Sequence, residues 1–284
     1  MFLFIKLLKP NIILGNIVSM MGGFFLSARG TINWFIFFTL VMSLFLVIAS
    51  SCIINNIFDR DVDVHMVRTK NRLLVVNCTV LRLAIIYSIF CGTVGFLMLY
   101  FFLDFLSTLS ILIGFLAYIV LYTFYAKRKT IYATFIGAIA GAMPPLSGYL
   151  SVTHNLNQCA LILFLIFYVW QIPHFYSISL RRLEDYKMAN IPIFVLSKGV
   201  YLTKCHIVIY ILLYLMASSM LTVFGYTGWI YFFSNLFFGI LWLLIALLIT
   251  LRSENHAFLE KILFLFSIIV IVNISIMMSI DFHT

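Results

Sequence analysis

The sequence predicts an all-α polytopic membrane protein of about nine transmembrane helices, and three observations carry that expectation. Of its 284 residues, 64% are hydrophobic and only 10% are charged, too little polar surface for a water-soluble chain. The apolar residues are gathered into runs of about twenty, the length at which a helix crosses a bilayer. When those runs are threaded alternately through a membrane, the basic residues collect on one side, as the orientation bias of membrane proteins requires.

The apolar runs read, in order, as Asn11–Ala28, Trp34–Ile54, Leu81–Phe102, Phe105–Tyr125, Tyr132–Val152, Cys159–Leu180, Thr203–Gly225, Trp229–Leu251 and Ile262–Ile280. Lys6 and Lys9 precede the first run, and no clear small-residue cleavage site follows it. The run is therefore read as a retained helix and not as a removed signal peptide. The connections are mostly short and leave no room for a soluble domain, so residues 1–284 are expected to form one helical membrane domain. With the N-terminus in the cytoplasm and the C-terminus on the opposite side, all the cytoplasmic connections are basic. Lys6, Lys9, Arg60, Arg68, Lys70, Arg72, Arg82, Lys127, Arg128, Lys129, Arg181, Arg182, Lys187, Lys198, Lys204, Arg252 and Lys261 fall there, and Arg29 alone lies opposite. The formal charge of +9 is thus an orientation signal, and no nucleic-acid partner is expected from it. The cysteines Cys52, Cys78, Cys91, Cys159 and Cys205 have no CxxC or Cys/His metal spacing and read as small core residues.

One stretch departs from this apolar background. Asn55 to Arg72 contains three aspartates and four basic residues within eighteen positions. Asn55, Asp59 and Asp63 recur at i, i+4 and i+8, which places them on one face of a helix. Aligned carboxylates repel unless a cation lies between them, and an all-oxygen donor set suits magnesium better than zinc. The basic residues that follow could hold the phosphate oxygens that such a metal bridges. The alternative is a solvated, inert charged loop. Asp61 points off the Asn55 face and reads as an ion-pair partner. A second acidic pair, Glu184 and Asp185, follows the sixth run at the same side, four helices later, and hints at two related four-helix halves.

Other unusual residues gather near that side. Tyr122, Tyr125, Lys127 and Arg128 close the fourth run. The fifth carries Gly137 and Gly141 in a GxxxG spacing, read first as plain close packing. Pro144 and Pro145 then predict a break. The sixth contains Trp170-Gln171-Ile172-Pro173-His174-Phe175, and a histidine within a membrane helix is costly enough to make His174 a functional candidate. His206 carries a weaker signal, and His65, His154 and His283 are assigned nothing.

These residues resemble a known family. Asn55-xxx-Asp59-xxx-Asp63, with Met66-Val67-Arg68-Thr69-Lys70-Asn71-Arg72 behind it, is similar to the first signature of the UbiA-type intramembrane prenyltransferases. Four further blocks resemble the haem-farnesylating branch of that family, the haem O synthases: Tyr122-Thr123-Phe124-Tyr125-Ala126-Lys127-Arg128, Gly141-Ala142-Met143-Pro144-Pro145, Trp170 to His174, and Asp185-Tyr186-Lys187-Met188-Ala189-Asn190-Ile191-Pro192. The likeness covers essentially the whole chain. Many family members carry a second DxxxD after the sixth helix. Here Ala189 stands four residues after Asp185, as in the haem branch, which leaves Glu184 and Asp185 as the carboxylates on offer for a second metal.

The resemblance implies a UbiA-like helical bundle with its active site at the cytoplasmic mouth, in a bacterial plasma (inner) membrane. It implies transfer of the farnesyl group of farnesyl diphosphate to a vinyl group of haem B with addition of water. On that reading Asp59 and Asp63 hold magnesium with help from Asn55, and Asp185 completes a second metal or positions a cation. Arg68, Lys70 and Arg72, joined by Lys127 and Arg128, grip phosphate, while Tyr122 and Tyr125 line the substrate site. His174 contacts haem. A haem-copper oxidase or a haem A synthase is the expected partner. The competing readings are a prenyltransferase acting on a quinone precursor, a secondary transporter, and a purely structural membrane subunit that would have no need of the carboxylates.

Overall fold

A computed structural model of the chain describes residues 7–252 and 257–282, except for the Cys78 side chain; Lys6 and His283 lie outside the described residues. Among these, nine helices are long and apolar enough to cross a membrane. They are α1 Pro10–Ala28, α2 Trp34–Phe58, α3 Leu81–Phe102, α4 Phe105–Leu116, α5 Ala133–Thr153, α6 Gln158–Arg181, α7 Val200–Val223, α8 Trp229–Thr250 and α9 Ala257–Ile280. Helix α4 reaches membrane-spanning length only through its continuations, a π-helix at Ala117–Ala126 and a last turn at Lys127–Lys129.

The helix starts are set by short polar side chains. Asn33 caps α2 by accepting from the Phe35 and Ile36 amides, Asp104 caps α4 through Ser107, and Asn157 caps α6 through Ala160. Helix α1 opens on Pro10, whose missing N–H costs nothing in a first turn. The start of α8 is capped from far along the chain, by Asp281 Oδ2 accepting from the Tyr231 amide at 2.6 Å.

Helices α1, α5, α6 and α9 pack α1 on α5, α5 on α6, α6 on α9 and α9 on α1, forming a closed central ring. The pair α2–α3 and the helix α4 flank one side of it, and α7–α8 flank the other. Two expectations are corrected here. Helix α2 runs beyond Ile54 to Phe58, because polar side chains end a hydropathy run without ending the backbone hydrogen bonding. Helix α5 is not broken at Pro144 and Pro145 but continues through both to Thr153. The carbonyls that the prolines leave free lie in the most buried of the nine spans, where such irregularity is tolerated.

The small residues of α5 do two different jobs. Gly148 lets α5 lie against the α1 backbone, and a Cβ there would meet the Met20 carbonyl and come within 2.9 Å of the Phe24 nitrogen. Gly137 and Gly141 instead make room for side chains, those of Tyr122 and Gln171. Overpacking a well-filled contact costs about 1–3 kcal/mol. Gly148→Val is therefore expected to lower the thermal unfolding midpoint in detergent, whereas Gly15→Ala, with nothing within 4 Å of its added methyl, is expected to leave it unchanged or raise it.

Candidate active site

The site is built where α2 ends. The helix closes at Phe58, Asp59 forms a turn, and a short helix follows at Arg60–Asp63. The i→i+4 hydrogen bonding survives on one face all the same, with the Asp59 amide donating to the Asn55 carbonyl at 2.9 Å and the Asp63 amide to the Asp59 carbonyl at 2.7 Å. Asn55, Asp59 and Asp63 are consequently stacked as three rungs, each no more than 3% exposed.

Every rung is met by a cation, and the three come from different parts of the chain. Lys127, at the end of the π-helix, donates to Asp59 Oδ2 at 2.6 Å. Arg72, beyond the loop, donates to Asp63 Oδ2 at 2.5 Å. Lys9, the residue before α1, donates through Nζ to Asn55 Oδ1. Burial lowers the Lys9 ammonium to about 8; Cys52 opposes that shift and Arg72 adds to it.

The orientation of the Asn55 amide is determined by its other end. Asn55 Nδ2 donates to Thr123 Oγ1 at 3.2 Å, and the Thr123 hydroxyl is already committed as a donor to the Tyr118 carbonyl, 2.8 Å away and five residues back. That five-residue reach is the pitch of the π-helix. Thr123 Oγ1 can therefore only accept, and Asn55 turns its oxygen toward Lys9. The widened turn also stacks Tyr118 on Tyr122 at 5.8 Å and brings Phe124 against Phe58 at 4.1 Å.

A second wall comes from the segment after α6. Asp185, 8% exposed, accepts from the Val67 amide through Oδ1 at 2.9 Å. Val62, Met66 and Ile191 pack together, with Tyr186, Ala189 and Ile193 against them. Burial pushes the Tyr186 hydroxyl above its ordinary range, opposed by nearby Arg68. The two acidic loops, distant in sequence, thus meet face to face.

The remaining candidates divide. Arg68 and Lys70 are exposed on the loop. Arg128 stands outside the ladder in a bidentate pair with Asp61, at 2.7 and 2.8 Å, and its hydrogen bonds hold the Asp61 carboxyl below the usual carboxylate range. Tyr125 is 56% exposed beneath Lys129 Nζ, which lies 5.0 Å from the ring centroid. Tyr122 faces inward on Gly137. His174 lies at the α6–α9 contact, with Nδ1 2.7 Å from Ser267 Oγ and its ring 4.8 Å from that of Trp170. His206 sits among aromatic rings, 4.7 Å from Phe194. Lys9, Thr123, Tyr118 and Tyr186 were not site candidates by sequence: Thr123 and Tyr186 stood only inside the family-like blocks, and Lys9 only among the basic residues that set orientation.

Asp59, Asp63 and Asp185 do not converge as a three-carboxylate cluster, and no group of three or more His, Cys, Asp and Glu suited to a metal occurs among the described residues. Asp185 Oδ1 accepts instead from the Val67 amide. The donors do fit a magnesium ion that draws further ligands from a bound phosphate. They are all oxygen, and Asp59 Oδ1 is buried with no hydrogen-bond partner among the described residues.

Comparisons with known proteins agree with this architecture. Residues 16–268 match the UbiA prenyltransferase family. The chain is 42% identical over 280 residues to the protoheme IX farnesyltransferase of Yersinia pseudotuberculosis, covering 99% of this chain and 95% of that one. The protoheme IX farnesyltransferase of Pseudomonas savastanoi pv. phaseolicola matches with the same identity and coverage. Among solved structures, that of a UbiA homolog from Archaeoglobus fulgidus bound to GPP and Mg2+ superposes with a TM-score of 0.71 at 15% identity, covering 98% of this chain and 99% of that one. A digeranylgeranylglyceryl phosphate synthase gives a TM-score of 0.78 at 18% identity, covering 97% of each chain. At such identities these structures speak for the fold alone.

Because Asp185 is the polar tie between the loops, Asp185→Ala is expected to free the Val67 segment. Tryptic cleavage at Arg68 and Lys70 and amide exchange around Val67 should both accelerate several-fold, since a lost hydrogen bond to a charged acceptor is worth about 1.5–3 kcal/mol. Unchanged rates would show that the segment is held by the Val62–Met66–Ile191 contact instead.

Proposed function

The chain belongs to the UbiA prenyltransferase family, and from that premise we propose that it transfers the farnesyl group of farnesyl diphosphate to a vinyl group of haem B, with addition of water, giving haem O. The enzyme is a prenyltransferase that crosses the membrane several times. The observation that carries the reaction class is the ladder of three buried oxygen donors, each held by its own cation. Haem as the acceptor is supported by the names of the full-length relatives and by the Trp170–His174 and Asp185–Pro192 blocks.

Ionising an allylic diphosphate requires the charge on the leaving group to be neutralised. Asp59 and Asp63, with the Asn55 oxygen, would hold magnesium, which supplies that neutralisation when bound. Lys127 and Arg72, freed from the carboxylates they now pair with, turn to phosphate oxygens, with Arg68 and Lys70 arriving from the exposed loop. Arg128 serves from outside, by anchoring the loop through Asp61. Asp185 positions the Val67 segment over the ladder. The Tyr118–Tyr122 stack presents ring faces suited to an allylic cation and, with the apolar helices around it, keeps water away until the vinyl carbon attacks. The new bond joins the first farnesyl carbon to the terminal vinyl carbon. Positive charge then rests beside the porphyrin, and water adds there and loses a proton, leaving a hydroxyl. His174, whose Nδ1 is engaged by Ser267, would be the residue that contacts haem, as iron ligand or as proton acceptor. Residues 1–284 act as one domain in a bacterial inner membrane, with the mouth and the N-terminus cytoplasmic, the C-terminus opposite, and a haem-copper oxidase or haem A synthase taking the product.

The test is a membrane assay with haem B, farnesyl diphosphate and magnesium, read by mass. A magnesium-dependent haem bearing a hydroxyethylfarnesyl group is expected. Prenylation of a quinone precursor instead would discard haem as acceptor, and no product from any diphosphate would discard the reaction class. Asp59→Asn and Asp63→Asn are each expected to reduce turnover at least about a hundredfold at any magnesium concentration, a loss of about 2.7 kcal/mol or more in transition-state stabilisation. Thr123→Val is expected to raise the magnesium concentration needed for half-maximal rate several-fold, because Asn55 loses its orienting partner. Thr123→Ser keeps the hydroxyl and should stay near wild type; equal behaviour of the two variants would exclude the orienting role.

A further inference from the structure

Of the three cations on the ladder, Lys127 and Arg72 come from segments whose residues already suggest phosphate binding. The third does not. Lys9 lies outside the acidic stretch, and by sequence it does no more than orient the first helix.

Its placement in the fold is tightly determined. The Lys9 carbonyl accepts from the Ile12 and Ile13 amides, so its backbone is part of the first turn of α1. Two residues earlier, the Leu7 carbonyl accepts from Asn56 Nδ2 at 2.9 Å, and the Leu7 side chain is buried against Ile53 and Leu74. The segment ahead of α1 is thus pinned to α2 one position from Asn55, and the Lys9 side chain crosses to the ladder from a fixed base. A second observation is independent of the Asn55 contact. Lys9, Asp63, Arg72 and Asn56 line a cavity of about 60 Å³ beside the ladder, into which the buried and unpartnered Asn56 Oδ1 contributes. Leu7, Leu8, Leu73, Leu74 and Val75 complete its wall, and its polar side is the one that Lys9 and Arg72 share with the ladder.

We propose that Lys9 is a further diphosphate-binding residue of this enzyme, which holds Asn55 Oδ1 and turns to a phosphate oxygen when a diphosphate binds at the ladder. The inference rests on the reaction proposed above. Its chemistry is that of a cation exchange. An amide oxygen is neutral and needs no ammonium to balance it, so the charge on Lys9 is surplus to its present partner. The same charge beside Lys127 and Arg72 completes a ring of three donors around the place where an anion of two or three negative charges must sit.

The discriminating variant is Lys9→Gln. Its amide can still donate to Asn55 Oδ1, so a residue that merely supports Asn55 would tolerate the change, but it carries no charge. Binding of inorganic pyrophosphate with magnesium is measured by calorimetry on the detergent-purified full chain, together with KM for farnesyl diphosphate and for haem B. Lys9→Gln is expected to weaken pyrophosphate about ten- to a hundredfold, the worth of one charge-assisted hydrogen bond, and to raise KM for farnesyl diphosphate alike. KM for haem should stay unchanged, and Lys9→Arg should recover most of the loss. Pyrophosphate affinity equal to wild type in Lys9→Gln overturns the proposal, as does failure of Lys9→Arg to recover any of it. If Lys9→Gln does not fold, Lys9→Met takes its place, read as affinity for pyrophosphate against affinity for magnesium alone: a loss confined to pyrophosphate is expected, and an equal loss of both, the mark of a displaced Asn55, overturns the proposal. Failure of the haem assay with pyrophosphate binding intact would remove the acceptor and leave this inference standing. A wild-type chain that binds no pyrophosphate would remove both.

Discussion

Burying three oxygen donors in a row at one end of a membrane bundle creates a charge problem that the rest of the structure is arranged to solve. A lone carboxylate in such a place would be driven toward its neutral form, and two of them one turn apart would be driven further. The chain keeps both as partners of cations, Asp59 with Lys127 and Asp63 with Arg72, and adds Lys9 at the amide rung. Buried ion pairs add little net stability, because desolvation takes back most of the attraction. Such an arrangement fits a site that must exchange its cations more readily than it fits a fold that needs staples.

Meeting that constraint requires segments far apart in sequence to converge. Lys9 arrives on the first turn of α1, Arg72 on the loop after α2, and Lys127 on the last turn of the fourth span, so the ladder is complete only when α1, α2 and α4 are packed. The π-helix is the device that aims the third. An α-helical Ala117–Ala126 would rotate everything after it by a large part of a turn, and the Thr123 hydroxyl bond to Tyr118 marks where the extra residue is taken up. The glycines of α5 complete the arrangement from behind, Gly137 making room for Tyr122 on the same π-helix.

The membrane class, the number of spans and the acid ladder were legible in the sequence because each rests on a period or a length. Apolar runs report helices, and an i, i+4, i+8 spacing reports a face, which survived even where α2 gave way to a turn at Asp59. What could not be read has the same kind of reason. Hydropathy does not distinguish an α-turn from a π-turn, so the aim of Lys127 was hidden and Arg128, its neighbour, looked equivalent; in the structure it pairs with Asp61 on the outside. Pro144 and Pro145 were read as a break in the fifth run, but the helix carries on through both within a heavily buried span, where the carbonyls they free are tolerated. His174 was distinguished by the cost of a polar ring in an apolar span, but that cost is met locally by Ser267 and Trp170, partners that sequence had no means to show.

The two acidic loops are themselves joined by one polar tie and one apolar contact. Val67 and Asp185 join the loop after α2 to the loop after α6, and the Val62–Met66–Ile191 contact makes the junction dry. One side of this junction carries the ladder and its cations, and the other continues into α6, whose face bears Trp170 and His174. A reaction that cleaves a diphosphate and then adds the resulting carbon to a large flat acceptor needs water kept from the cation until the acceptor attacks, or the charge is quenched first. The Val62–Met66–Ile191 contact is apolar surface of the kind that such a step needs. The missing second DxxxD is intelligible on the same ground. With Asp185 committed to the Val67 amide, a further carboxylate at position 189 would stand where Ala189 packs on the apolar cluster, and would put an uncompensated charge into the one part of the mouth that has to stay dry.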